Sequence, residues 1–203
     1  MTASPHFSGL ERSLSSWSAV KFFLALFVLS QGWIIMTLGE TGEDVGRLQT
    51  MCLRYPTDPA ATGHAARQVL EKWTTRDIHN FEHHFLIDLW IHPILYALFY
   101  TSAFLHDLIH RQENANTEST INPVFVGRSG VLVIFSAALC DILENVRHKS
   151  ITFDSNNGVI APDQMMYEAC VFASTKWFIM GAVSLWLLFR YFSAPTRAAA
   201  KSD

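Results

Sequence analysis

The feature that most constrains this chain is a set of apolar stretches long enough to cross a lipid bilayer, three of them carrying ionisable side chains. Residues 20–38 form the clearest run, broken only by Lys21 at its edge and by Gln31 and Gly32. About 20 apolar residues span the hydrocarbon core. Residues 85–105 make a second run, interrupted by Asp88, His92 and Pro93, and a kink is expected near the proline. The third, residues 129–148, is apolar from Val131 to Leu139 and then meets Asp141, Glu144 and Arg147. The fourth, residues 169–189, is interrupted by Lys176. The first run follows Arg12 and Lys21 as a secretory signal would, but it is long for one and has no small-residue exit, so it reads as an uncleaved span.

The implied fold class is all-α: an integral membrane four-helix bundle with an extended first loop carrying a short interfacial helix. Charged residues make up 16% of the chain, below the roughly 25% of a soluble domain. A net charge of −3 with no basic tract speaks against nucleic acid as a partner. Cys52, Cys140 and Cys170 are widely spaced and suggest neither a zinc ribbon nor a disulfide framework. The latter two read as apolar fillers inside spans.

Outside the spans, residues 1–19 form an N-terminal tail, residues 20–192 the membrane domain, and residues 193–203 a small, polar, disordered tail. The loop 39–82 is too long for a turn. Thr62 is placed to N-cap a helix over 63–73 that lies on the membrane surface with Val69, Leu70 and Trp73 inward. Residues 154–158 resemble a calcium loop only superficially, because the glycine comes early and no glutamate follows, so a simple turn is expected. Basic residues flank both sides about equally. The tails add Arg12, Arg197 and Lys201, which places both termini in the cytoplasm, of the inner membrane if the source is bacterial.

A charge at mid-span costs about 2.5–3.5 kcal/mol, so it turns inward and has a task. His84, Asp88, His92, Tyr96 and Tyr100 recur every four residues and define one slowly drifting stripe. Asp141, Glu144, Asn145 and His148 share a face of the third span. Ala169, Ala173 and Lys176 share a face of the fourth, where small residues permit close approach. With alternating helix directions, Asp88, His92, Asp141, Glu144 and Lys176 all fall roughly 5–12 Å below one surface.

Three carboxylates against one lysine leave surplus negative charge, which a protonated carboxyl, a protonated histidine or a bound cation offsets. Asp88, Asp141, Glu144 and Lys176 are therefore the candidate catalytic groups, and His92, Tyr96, Asn145 and His148 the candidate substrate contacts. Glu144 or Asp88 would serve as neutral acid, Asp141 as base oriented by Lys176. A metal held by His84, Asp88 and His92 is an alternative on helical i, i+4 spacing, although the sequence requires no cofactor. His106, Asp107 and His110 read as a solvated helix end.

The segments I-D-L-W-I-H-P-I-L-Y-A (87–97), C-D-I-L-E-N (140–145) and A-S-T-K-W (173–177) occur in order on successive spans. Together they resemble a broad group of small four-span membrane proteins of uncharacterised function, with an Asp…Pro…Tyr second helix and a D-x-x-E-N third helix. The resemblance covers about residues 81–189, implies the fold and the site, and brings no reaction. Three functions stay open: a membrane enzyme transferring protons on a lipid-soluble substrate, a proton- or cation-coupled carrier, and an accessory subunit of a larger membrane complex or homo-oligomer. In the last, Lys176 pairing with Asp141 or Asp88 would be architecture alone.

Overall fold

The computed structural model describes residues 7–114, 122–156 and 162–193. The described chain is helical, with no strand. Its elements are α1 (Gly9–Leu14), α2 (Trp17–Leu38), α3 (Thr41–Arg54), α4 (Pro59–Leu70), α5 (Thr75–Leu86), a π turn (Ile87–Ile91), α6 (His92–Asn114), α7 (Pro123–Asn156) and α8 (Asp163–Phe192). Among the described residues, four helical stretches are long and apolar enough to cross a membrane: Trp17–Leu38, Thr75–His110, Pro123–Ile151 and Asp163–Phe192. Their outward faces expose Phe22, Leu29, Met36, Leu132, Leu139, Phe178, Leu185 and Phe189. An apolar surface of that extent is at home in lipid rather than water.

α6 packs against both α2 and α7, and α7 against α8. Tyr96, Ala97 and Phe104 of α6, Ile134, Ala137 and Ala138 of α7 and Met180 of α8 form the core between them, with Phe27 of α2 laid over it. Ala169 and Ala173 are fully buried on α8, as small residues at a helix crossing should be.

The loop 39–82 holds more structure than its sequence promised. Gly39 ends α2 with φ of +53°, a conformation glycine adopts without strain. The chain then forms α3, whose Thr41, Val45, Leu48 and Cys52 are buried on one face. The helix expected at 63–73 runs instead over Pro59–Leu70. Asp58, not Thr62, is its N-cap, accepting from Ala61 N at 2.9 Å ahead of Pro59. A proline at the first helical turn forgoes only an N–H that had no intrahelical partner. Thr62 is buried inside that helix. Gly63 permits α4 to abut the start of α8, where a Cβ would fall 2.7 Å from Asp163 Cα. α5 opens with a reciprocal cap between Thr74 and Asp77.

The N-terminal segment is likewise more than a tail. Ser8 and Glu11 form a capping box on α1, and Phe7 is buried against Leu105, Ile109 and Val124. The turn expected at 154–158 is helical through Asn156, and its remainder lies outside the described residues, as does the C-terminal tail from residue 194.

The cysteines require a correction. Cys52 of α3 and Cys170 of α8 are joined in a disulfide, with Cα atoms 5.7 Å apart, while Cys140 is free. Their separation of 118 positions hid the pairing, because it depends on α3 folding back onto α8.

Candidate functional site

The site begins with the break in the second apolar stretch. Pro93 has no N–H to donate, and its ring crowds the carbonyl four residues earlier. The helix responds upstream, over Ile87–Ile91, by taking one extra residue into the turn. On an unbroken α-helix, residues every four places drift by about 40° per step, or about 160° from His84 to Tyr100. The extra residue sets the stripe back by about 100°. Consequently His84, Asp88, His92, Tyr96 and Tyr100 all line one cavity.

That cavity has a volume of about 380 Å³ and lies between α2, α3, the π turn, α6, α7 and α8. Its lining mixes apolar side chains, Phe27, Ile34, Ile35 and Leu38 of α2 with Val45 of α3, and polar ones, the histidines, tyrosines and Asp88 with Asp141 and Lys176. Gly42 and Gly46 of α3 face it with no side chain to fill it. A volume of 300–1,000 Å³ with convergent polar groups is the usual form of a small-molecule site.

Asp141 and Lys176 belong to an ion cluster that continues behind the cavity lining to Glu144. Lys176 Nζ donates to Asp141 Oδ1 at 2.5 Å and to Glu144 Oε2 at 2.7 Å, and all three residues are buried. The Lys176 ammonium also stands 5.1 Å from the Trp177 ring centroid. Glu144 is fully enclosed. Its Oε1 accepts from Gln49 Nε2 at 2.5 Å and lies 3.7 Å from His148 Nδ1. Buried charges persist only with such partners on their remaining lone pairs.

Asp88 is apart from this cluster. Its Oδ2 lies 3.5 Å from His84 Nε2, and its side chain keeps 15% exposure, against 2% or less for Asp141 and Glu144. It is the carboxylate most open to the cavity. His92 Nδ1 is 2.9 Å from Ser30 Oγ, and Tyr100 Oη is 2.9 Å from Ser184 Oγ. The Tyr96 hydroxyl is buried and interacts with the Asp141 carboxylate.

The structure thus brings together Asp88, His92, Tyr96, Asp141 and Lys176 at the cavity, and sets Glu144, Asn145 and His148 behind it. Asn145 Nδ2 donates to the Asp88 backbone carbonyl at 3.0 Å, so its amide supports the π turn instead of facing the cavity. His148 packs at the far side of Glu144, near Phe81. The alternative metal set does not converge. His84 and Asp88 meet, but His92 turns to Ser30, and no group of three or more such ligands occurs among the described residues. At the other end of α6, His106 Nδ1 lies 2.8 Å from the Ser15 carbonyl and Arg190 Nε donates to Asp107 at 3.0 Å, so that helix end is tied down as well as solvated.

Gln49 is the participant the sequence reading missed. It bonds Glu144 and accepts from Trp177 Nε1 at 3.3 Å. The signal was the apolar spacing of Val45, Leu48 and Cys52, which marks α3 as a helix with Gln49 at the edge of its buried face. Comparison with protein-family models, curated proteins and solved structures returns no match for this chain.

Proposed function

We propose that the chain is a four-helix membrane bundle whose cavity takes a lipid-soluble substrate and exchanges a proton with it at Asp88. The observation that carries this reading is a cavity lined by both apolar and polar side chains, with one partly open carboxylate beside a histidine. The apolar lining suits a hydrocarbon or ring body, and the polar groups a carbonyl or hydroxyl head.

In this reading Asp88 removes a proton from the substrate, and the bonding electrons stay on the substrate. The same proton then returns to a different substrate atom, so the net change is an isomerisation that needs no co-reactant. His84 holds Asp88 and shares its proton. Lys176, bonded to both Asp141 and Glu144, fixes the polar lining beside Asp88 as a positioning residue. Tyr96 lines the cavity with its hydroxyl set toward Asp141. Asn145 and Gln49 act as positioning residues. The resemblance to small four-span membrane proteins with a D-x-x-E-N helix belongs to the same proposal, as do an inner-membrane location and cytoplasmic termini.

A second reading is favoured by the saturation of the Lys176 cluster, which would serve equally as a rigid joint in an accessory subunit. Native mass spectrometry of protein gently extracted from its own membrane separates the two. A co-purifying small lipid that is lost in Asp88→Asn, with the fold retained, supports the site. Stoichiometric protein partners, with no small molecule in either form, would establish the subunit instead.

A further inference from the structure

The Cys52–Cys170 disulfide does more than join two helices, because it sits at one end of the molecule. Four crossings place α3, α4 and the starts of α5 and α8 on one side of a bilayer. They place α1, the end of α6 and the start of α7 on the other. Cys170 lies seven residues into α8, about 10 Å from its start. Cys52 belongs to the connection between the first two crossings. Both thiols therefore lie toward the same surface, whereas the free Cys140 lies deeper, eleven residues from that end of the third crossing.

Disulfides form and persist in oxidising compartments and are rare on the reducing cytosolic side. Basic residues flank the spans about equally on both sides, and only the tails, with Arg12, Arg197 and Lys201, tip the balance toward cytoplasmic termini. We infer that the chain is oriented with α3, α4 and the α3 end of the cavity on the oxidising side of its membrane, where the Cys52–Cys170 disulfide forms and is retained. α1 and the chain termini then face the cytoplasm.

The bridge also has a local consequence. Gln49 and Cys52 lie three residues apart on α3, on adjoining positions of one helix face. Pinning Cys52 to α8 therefore holds Gln49 against Glu144 and keeps Gly42 and Gly46 at the cavity edge.

The test has two readouts on the full-length chain in its membrane. The protein is denatured at lysis directly into maleimide–polyethylene glycol, with or without prior reduction, so that every free thiol is captured. Without reduction the expected pattern is one free thiol, from Cys140, and with reduction three. Three free thiols without reduction would overturn the inference. Orientation is read separately in a Cys140→Ser background, with His64→Cys on exposed α4 and Ser13→Cys on exposed α1. In right-side-out vesicles a membrane-impermeant maleimide should label His64→Cys at once and Ser13→Cys only after permeabilisation. The reverse order would overturn it even if the disulfide were present.

Discussion

Asn145 Nδ2 donates to the carbonyl of Asp88 at 3.0 Å, and Pro93 stands five places beyond Asp88. In a π turn each carbonyl looks to the amide five residues on. For Asp88 that amide belongs to a proline and has no hydrogen to give. Asn145, from a different helix, supplies the missing donor. The turn that gathers the cavity stripe is thus held by a side chain of the D-x-x-E-N segment, which explains why the two segments work as a pair.

This relationship predicts a coupling. Asn145→Ala leaves a buried carbonyl unsatisfied and should cost about 1–3 kcal/mol of stability. In a Pro93→Ala background the chain regains its own N–H, and the same change should cost about 1 kcal/mol less. Reversible unfolding in mixed micelles measures the cycle. Strictly additive costs would mean that Asn145 does not stand in for the amide that Pro93 lacks.

A pH dependence follows at the opposite end of the molecule. Arg128 Nε donates to Glu11 Oε1 at 2.9 Å, and this hydrogen bond is the main reason the Glu11 carboxyl is held at about 2. Ser8 adds its own hydrogen bonds. A folded-state value below the unfolded one means stabilisation that is fully present above the ordinary value of 4.5 and is lost as pH falls through about 2. The stability difference between the native chain and Glu11→Gln should therefore be constant near neutrality and shrink in acid. A difference that grows in acid would contradict the pairing.

The sequence carried much of this, unevenly. The spans were legible because bilayer crossing imposes a length and a composition that nothing else in the chain imitates. The polar stripes were legible because i, i+3 and i+4 spacing is a property of the helix itself. α3 was not, since its outer face carries Glu43, Asp44 and Arg47 and its overall composition resembles a loop. The pairing of Cys52 with Cys170, and Gln49 with Glu144, depends on where α3 lands, which no local pattern encodes. Pro93 pointed to a kink. It did not reveal that the distortion lies upstream and realigns Asp88 with His92 and Tyr96.

The Lys176 cluster makes a prediction about sums. Lys176→Met strands two buried carboxylates and should destabilise by about 3–5 kcal/mol. Adding Asp141→Asn and Glu144→Gln removes the stranded charges, and most of that loss should return, because neutral groups of the same shape tolerate burial. Thermal unfolding in detergent compares the two variants directly. If the triple variant is no more stable than the single one, the cluster owes its role to packing and not to balanced charge.

The final prediction separates the cavity from the fold around it. Gly46 lies within α3 and lines the cavity, and a Cβ built on it meets no other atom within 4 Å. Gly46→Leu therefore starts its side chain in open space and should gain roughly 0.5–1 kcal/mol, because glycine is a poor helix former and leucine a good one. The same side chain projects into the cavity and should displace whatever occupies it. The expected outcome is a stability equal to or above that of the native chain, together with loss of the co-purifying small molecule in native mass spectra. A fully occupied Gly46→Leu protein would show that the ligand, if one is bound, sits elsewhere, and would remove the cavity as the basis of the proposed chemistry.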